Sequence, residues 1–217
     1  MANHYTSSPV VADLGTVDYS LSLILQRKLV EMVRSGEIGD VLLFLDHPAV
    51  FTVGRGKKPE NYEGVEVIET ERGGDVTYHG PGQLVAYPII DLERNGINDV
   101  RKLVNLVEDV VISSLKGFGY EGTIGDEPGI WVNGKKVASI GLAIRDRISF
   151  HGVAVNISGE VLKGFAKINP CGLKPDTIGF VAVERDKLRD VMRMNFENRL
   201  HAFKEVNRNF FDGLVHN

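Results

Sequence analysis

Apolar residues fall on one helical stripe from Ser20 onward, at Leu21, Ile24, Leu25, Val30, Met32 and Val33, and Gly36 closes the predicted helix. Residues 1–19 predict an extended entry that ends near Asp18 and Tyr19. Residues 41–45 form an unbroken apolar run and predict a buried strand. Asp46, His47 and Pro48 stop it, because proline cannot continue a sheet interior. Strands are also predicted at residues 65–70, 75–79 and 83–92. Residues 98–119 carry the clearest period: Val100, Leu103, Val104, Val107, Val110, Val111 and Leu115 make a continuous apolar stripe. Asn98 or Asp99 caps this helix and Gly117 or Gly119 ends it, and it reads as core without site residues. Asn133-Gly134 between the apolar runs 129–132 and 135–144 is a hairpin signal. A charged turn, Arg145-Asp146-Arg147, leads to a strand at 150–157. Residues 158–175 show no period. From Arg185 or Asp186 to about Phe211 a mixed helical pattern includes Leu188, Val191, Met192, Met194, Phe196, Leu200, Phe203 and Val206.

Helix, strands, helix, strands, helix is the order of an α+β domain, with a mixed or mainly antiparallel sheet covered by helices. No repeat or linker divides the 217 residues, so a single domain spanning 1–217 is expected. The net charge of −4 gives no reason to expect nucleic acid, and an acidic partner would need a local basic patch. Arg55, Lys57 and Lys58 offer one, or else a solvated turn. No apolar stretch approaches ~18 residues, so no membrane span is predicted. The first nine residues show neither a basic leader nor an apolar h-region, so no signal peptide is expected. A single cysteine excludes an internal disulfide and fits a reducing cytoplasm.

The candidate chemistry begins at Glu71-Arg72-Gly73-Gly74-Asp75-Val76-Thr77-Tyr78-His79-Gly80-Pro81-Gly82-Gln83, where four glycines and a proline sit among polar residues ahead of a buried strand. Gly73 and Gly74 permit unusual backbone angles and leave N–H groups unobstructed, which suits a loop that receives a ligand. Cys171, the one thiol, lies between Pro170 and Gly172 where no apolar period claims it. A lone cysteine is commonly a small buried hydrophobe, but these flanks suit a rigid turn. His79 and His151 are candidate bases or metal ligands. Two histidines without cysteines or paired carboxylates at ligand spacing make a poor metal site, so no metal is expected.

The run from Arg72 to Pro88 resembles the signature of lipoyl(octanoyl) transferases, and two later segments, Lys136-Val137-Ala138-Ser139-Ile140-Gly141 and Asn169-Pro170-Cys171-Gly172-Leu173, resemble that family as well. The resemblance implies the fold shared with biotin and lipoate ligases. It implies Cys171 as acyl-accepting nucleophile and Lys136 as proton acceptor and donor. It implies substrate contacts at Arg72, Gly73, Gly74, Asp75, Val76, Thr77, Tyr78 and His79, at Ser139, Ile140 and Gly141, and at Gly152, Val153 and Ala154. The implied activity moves an octanoyl or lipoyl group from acyl carrier protein to a lysine of lipoyl domains, those of 2-oxoacid dehydrogenase complexes and the glycine cleavage H protein, without a cofactor and as a monomer.

The chemistry agrees with that assignment. Thiol-for-thiol exchange of a thioester is near balance. A free thiol with a pKa of about 8.5 is mostly protonated at pH 7 and needs a neighbouring cation or base. Strict alternation along the strand puts Lys136, Ala138 and Ile140 on one face and Lys135, Val137 and Ser139 on the other, so only one lysine can serve. Oxyanion donors are expected from backbone N–H groups at Ser139 to Gly141 and near Cys171. Two rivals stand beside this reading. An ATP-dependent lipoate or biotin ligase would need no cysteine and carries a serine before its glycines, which this loop lacks. A non-catalytic acyl-binding protein would need neither Lys136 nor Cys171.

Overall fold

The computed structural model describes residues 8–125 and 127–215, without the side chains of Cys171 and Val215. The strands are β1 (Val10–Thr16), β2 (Val41–Asp46), β3 (Val50–Val53), β4 (Ile68–Glu69), β5 (Val76–His79), β6 (Gln83–Ile89), β7 (Thr123–Ile124), β8 (Gly129–Val132), β9 (Lys135–Arg145), β10 (Ile148–Asn156) and β11 (Lys204–Glu205). The helices are α1 (Tyr19–Ser35), α2 (Val100–Lys116), α3 (Val161–Phe165), α4 (Arg185–Glu197) and α5 (Asp212–Val215). Eight strands form one mixed sheet in the order β11-β1-β2-β6-β10-β9-β8-β7, parallel at β11-β1-β2 and antiparallel elsewhere. A small sheet, β4-β3-β5, stands beside it. The α+β expectation holds.

α1 covers one face of the large sheet. Asp18 caps it by accepting from the N–H groups of Ser20 (2.9 Å) and Leu21 (3.1 Å), and Gly36 ends it in the left-handed region at φ 75°. Its buried stripe differs from the sequence reading: Leu21 and Ile24 are 43% and 41% exposed, while Ser22 and Gln26 are buried. Gln26 is drawn inward because its Oε1 accepts from the His151 N–H at 2.8 Å. α2 and α4 cover the opposite face, with Val107, Val110 and Val111 meeting Leu188, Met192 and Phe196 across a shared core with β6, β8, β9 and β10.

Hairpin chemistry fixes the strands that matter most. Asn133 and Gly134 both adopt positive φ, 50° and 73°, which suits the two-residue turn joining β8 to β9. Asp146 and Arg147 do the same for β9 and β10. Three readings are corrected. β1 is a core strand paired to β2, where only an extended entry was expected; residues 1–7 lie outside the described residues. The C-terminal helix stops at Glu197, because the chain then pairs with β1 as β11, Lys204 N–H donating to Pro9 O and Val206 N–H to Val11 O, both at 2.9 Å. The region 158–175 holds α3, whose Val161 and Phe165 bury against Tyr78 and Val76 of the small sheet. Among the described residues no helix is long and apolar enough to cross a membrane.

α4 is also tied to β1 by charge. Arg185 forks onto Asp13 with bonds of 2.7 and 2.8 Å, Arg189 adds a third at 2.8 Å, and Arg185 Nε reaches Asp46 at 3.1 Å. Burial works to raise the Asp13 carboxyl, but the hydrogen bonds from Arg185 and Arg189 outweigh it and hold it down at about 2. An unfolded Asp titrates near 3.9, so this contribution is complete above that value and is lost as pH falls toward 2. The urea midpoint should therefore drop between about pH 4 and pH 2. Asp13→Asn should lower stability at neutral pH and flatten that part of the profile. An unchanged acid slope in the variant would show that Asp13 is not the group responsible.

Candidate active site

A cavity of about 220 Å³ lies between the α1 face of β9 and β10 and the loop 72–79. The glycine-rich loop is fixed first. The N–H of Arg55 donates to Arg72 O at 3.0 Å, that of Gly56 to Gly74 O at 3.0 Å and that of Gly54 to Asp75 O at 3.4 Å. A Cβ on Gly54 would stand 2.4 Å from Gly74 O and 2.7 Å from Arg72 O, so only glycine allows this approach. On the other side Gly73 N–H donates to Leu142 O at 2.9 Å, hooking the loop onto β9 where β8 has left it. Arg72 is buried. Its guanidinium donates to Thr52 O (2.8 Å), Thr52 Oγ1 (3.0 Å) and Gly73 O (3.0 Å), so it braces the wall. Asp75 does likewise, accepting from Lys58 N–H at 2.9 Å and Asn61 Nδ2 at 2.5 Å.

Lys136 is 4% exposed and lines the cavity. Lys135 is exposed and its ammonium donates to Asp176 O. The two lysines separate as expected, but not by strict alternation. β8 pairs Ile130 with Ala138 and Trp131 with Lys136, so Val137 is an extra residue, a β-bulge. Paired residues share a face and adjacent residues do not. Ala138 therefore joins Lys135 and Val137 on the α2 face, and Ser139 joins Lys136 on the α1 face. Gly141 follows, with its partner Gly152, and Ser139 with its partner Ala154. The bulge thus gathers Lys136, Ser139, Gly141, Gly152 and Ala154 onto one surface. Ile140 and Val153 also line the cavity, from strand positions of the opposite face. Gly152 has a second reason to be glycine: a Cβ there would lie 2.0 Å from Ala86 O of β6.

Arg72, Gly73, Gly74, Asp75, Val76, Thr77 and His79 all line the cavity, as does Pro170. Tyr78 does not. Its ring is gripped between Gly80 and Gly164, whose Cβ atoms would come within 2.4 and 2.3 Å of it, and it meets Phe165 edge-on at 5.7 Å. Cys171 sits in a 3₁₀ turn, Pro170–Gly172; its side chain lies outside the described residues. The turn is seated on the wall through Asn61, whose carbonyl accepts from Asn169 N–H at 2.8 Å while its amide donates to Asp75.

The inner end is polar and aromatic. Tyr19 stacks on His79 at 5.6 Å, His47 bridges Val17 O (2.7 Å) and Tyr87 Oη (2.8 Å), and His79 Nδ1 is 3.3 Å from Gln83 Oε1. Burial lowers His47 and, together with His47 and Arg72, pushes His79 far below the usual histidine range. Burial raises Tyr19 to about 12 and Tyr87 well above the usual tyrosine value. His151 departs from strand geometry at φ 57°. Its buried ring nitrogens make no hydrogen bond among the described residues, and Nε2 is 3.7 Å from Glu71 Oε2. Burial and Arg72 lower it to about 4 against the pull of Glu71. These rings are neutral at neutral pH, and beside them stand the charged Arg72 and Glu71, the latter also contacted by Arg27 and Arg145.

Sequence reasoning missed Tyr19, Tyr87, Val100 and Val104, which line the cavity. Val100, at 58% exposure, was readable only as part of a core stripe. It also missed Gly129, at φ 146°, where a Cβ would stand 2.4 Å from Ala138 O and 2.6 Å from Lys136 Cε. Glu108, raised by burial, accepts from the Gly129 N–H, so α2 supports the floor under Lys136.

The fold is that of the lipoate and biotin protein ligases. A crystal structure of lipoate-protein ligase A bound with ATP superposes with a TM-score of 0.78 at 16% identity, covering 96% of this chain and 92% of that one. Biotin protein ligase from Aquifex aeolicus gives 0.52 at 13% identity, covering 95% and 76%. Residues 18–203 match the lipoyl protein ligase A/B catalytic domain. The octanoyltransferase of Geobacter metallireducens is 43% identical over 169 residues, 76% of this chain and 78% of that protein. That of Rubrobacter xylanophilus is 40% identical over 205 residues, 88% and 90%. The chain belongs to the octanoyltransferases of this catalytic-domain family.

Gly129→Ala should push Lys136 out of place. The expected result is a fall in octanoyl transfer of up to about 10²-fold, since small misplacements near a reacting group carry that cost, with a stability loss of roughly 1–3 kcal/mol from overpacking. Gly117→Ala, at a helical φ of −62° and with its Cβ 3.4 Å from Ser114 O, should leave transfer near wild type in steady-state assays. Equal transfer by both variants would remove Gly129 from the site.

Proposed function

We propose that this chain is the octanoyltransferase of lipoate biosynthesis, acting through an acyl-enzyme on Cys171 with Lys136 as its base. The donor is octanoyl-acyl carrier protein and the acceptors are lysines of lipoyl domains, including those of 2-oxoacid dehydrogenases and the glycine cleavage H protein. The observation that carries the reading is the convergence of one buried lysine and the Pro170–Gly172 turn on a cavity walled by the glycine-rich loop.

In the first half-reaction Lys136 takes the Cys171 proton. The thiolate attacks the octanoyl carbonyl, the new thioester bond forms as the old one breaks, and the carrier thiolate leaves with the proton from Lys136. In the second, the acceptor amine attacks the acyl-enzyme and gives its proton to Lys136. Cys171 departs as thiolate and is reprotonated, leaving an amide. Neither step needs ATP, because the donor thioester is already activated. Backbone N–H groups near Ser139 to Gly141 and at the Cys171 turn are the oxyanion donors, and the apolar walls take the acyl chain. His79, already neutral through burial, orients neighbouring groups. Arg55 and Lys58, exposed on a loop stitched to the wall, face an acidic carrier, while Lys57 beside them is paired with Glu69 at 2.8 Å. One free thiol as nucleophile suits a reducing cytoplasm and one catalytic domain.

Incubation with octanoyl-carrier protein and no ATP should add one octanoyl group to the intact mass, and Cys171→Ala should abolish it. Lys136→Ala should slow both half-reactions by about 10² to 10⁴-fold, while Lys135→Ala should do little. Higher pH should recover part of the first half-reaction in Lys136→Ala, because hydroxide ionises the thiol, but not the second. A mass gain that survives in Cys171→Ala rejects the nucleophile, and a gain that demands ATP points to a ligase.

A further inference from the structure

Gln83 and Asn156 lie side by side in the β6–β10 ladder and are each 2% exposed. Two amides buried this far from water must be satisfied by protein, and these are satisfied by each other and by the two sides of the site. Gln83 Nε2 donates to Asn156 Oδ1 at 2.9 Å and to Tyr78 O at 3.2 Å. Gln83 Oε1 faces Gly80 N–H at 3.4 Å and His79 Nδ1 at 3.3 Å. Asn156 Nδ2 donates to Gly179 O at 2.8 Å, and the Gly179 N–H in turn donates to Lys136 O at 2.9 Å. Gly179 lies so close to β9 that a Cβ would stand 2.6 Å from that of Lys135. A second bond fixes the same segment, Val181 N–H to Asn156 O at 3.0 Å.

The result is one chain of hydrogen bonds, His79–Gln83–Asn156–Gly179–Lys136, from the glycine-rich wall to the backbone of the buried lysine. We infer that Gln83 and Asn156 are positioning residues that hold Lys136, and the segment leading away from the Cys171 turn, in register with the wall carrying His79. The inference rests on the proposed role of Lys136. Three features separate this pair from a core pair that merely satisfies itself. Both ends of the chain line the cavity. Each link uses a specific donor: because Gln83 Oε1 can only accept, a hydrogen bond from neutral His79 places its proton on Nδ1 and leaves Nε2 an acceptor. And the bond from Gly179 secures β9 beside its bulge, where regular pairing with β8 is interrupted.

The test uses Asn156→Leu, which removes both side-chain bonds at similar volume, Asn156→Asp, which keeps only the acceptor, and Gln83→Met, which breaks the chain from the other side. The readouts are iodoacetamide alkylation of Cys171 against pH and the separate kcat and KM for octanoyl-carrier protein. All three variants should move the alkylation midpoint upward, in the direction of Lys136→Ala, and lower kcat by up to about 10²-fold with little change in KM. The Asn156→Leu/Gln83→Met double variant should be little worse than the poorer single, as expected of residues acting as a unit. Folded variants with wild-type midpoint and kcat would overturn the inference, as would full additivity. Loss of the fold in all three would make the pair a structural element and overturn it equally. A Lys136→Ala midpoint equal to wild type would reject the lysine reading and this inference together. A shifted Lys136→Ala midpoint beside wild-type Asn156 variants would reject the inference alone.

Discussion

The site depends on one close backbone crossing. At Gly54 the carbonyls of Arg72, Gly73 and Gly74 converge so tightly that a single methyl group would strike all three. That crossing sets the direction of the glycine-rich loop. With those carbonyls turned toward residues 54–56, Gly73 is free to donate across to Leu142 and the buried Arg72 guanidinium closes over Thr52. A loop with four glycines among thirteen residues has much conformational entropy to lose. Here the loss is offset by main-chain hydrogen bonds on two sides and by the side chains of Arg72 and Asp75. The glycines serve approach, and the charged residues serve rigidity.

The inner end follows from burial. Three histidines and two tyrosines share a small volume, and burial pushes each toward its neutral form. Charging His79 or His151 would place a second cation beside Arg72 in a region of low dielectric. Neutral rings can stack and accept hydrogen bonds without that cost. The strained backbone at His151 belongs to this arrangement: φ 57° turns its N–H to Gln26 of α1 and its ring toward Glu71.

Much of this was legible in the sequence. The Asn133-Gly134 turn announced the β8–β9 hairpin, and the Pro48 and Gly36 stops marked their elements. The loop 71–83 stood out by composition, and all but one of its candidate residues line the cavity. Tyr78 stands off the cavity lining, which the sequence could not show, because an aromatic residue between Thr77 and His79 reads the same whichever way a short strand faces. The faces of β9 were misread for a related reason: Val137 is an ordinary strand residue, and nothing in its type signals that the partner strand skips it. Asn61, Gly129 and Val100 were invisible as site residues because their roles come from what lies beside them in space. β1 and β11 were missed because a two-residue strand and an N-terminal apolar run acquire meaning only when paired.

The bulge and the polar tethers act together. A regular β9 would put Lys136 on the face opposite Ser139 and Gly141, so the one extra residue decides whether the lysine and the glycine-lined surface meet at all. A bulge also removes ladder bonds from the segment it re-aims, which leaves the lysine less well fixed by the sheet alone. The structure restores those constraints from outside the ladder: Gly179 holds the Lys136 carbonyl, Gly129 walls its stem, and Glu108 supports Gly129. On the far side Asp75 and Asn61 seat the Cys171 turn by the same kind of buried polar link. Such links are costly when half made and rigid when complete. Their cost therefore argues for geometry as their use, since apolar residues of similar volume could fill the same space without fixing the distance between a lysine on a strand and a cysteine on a turn.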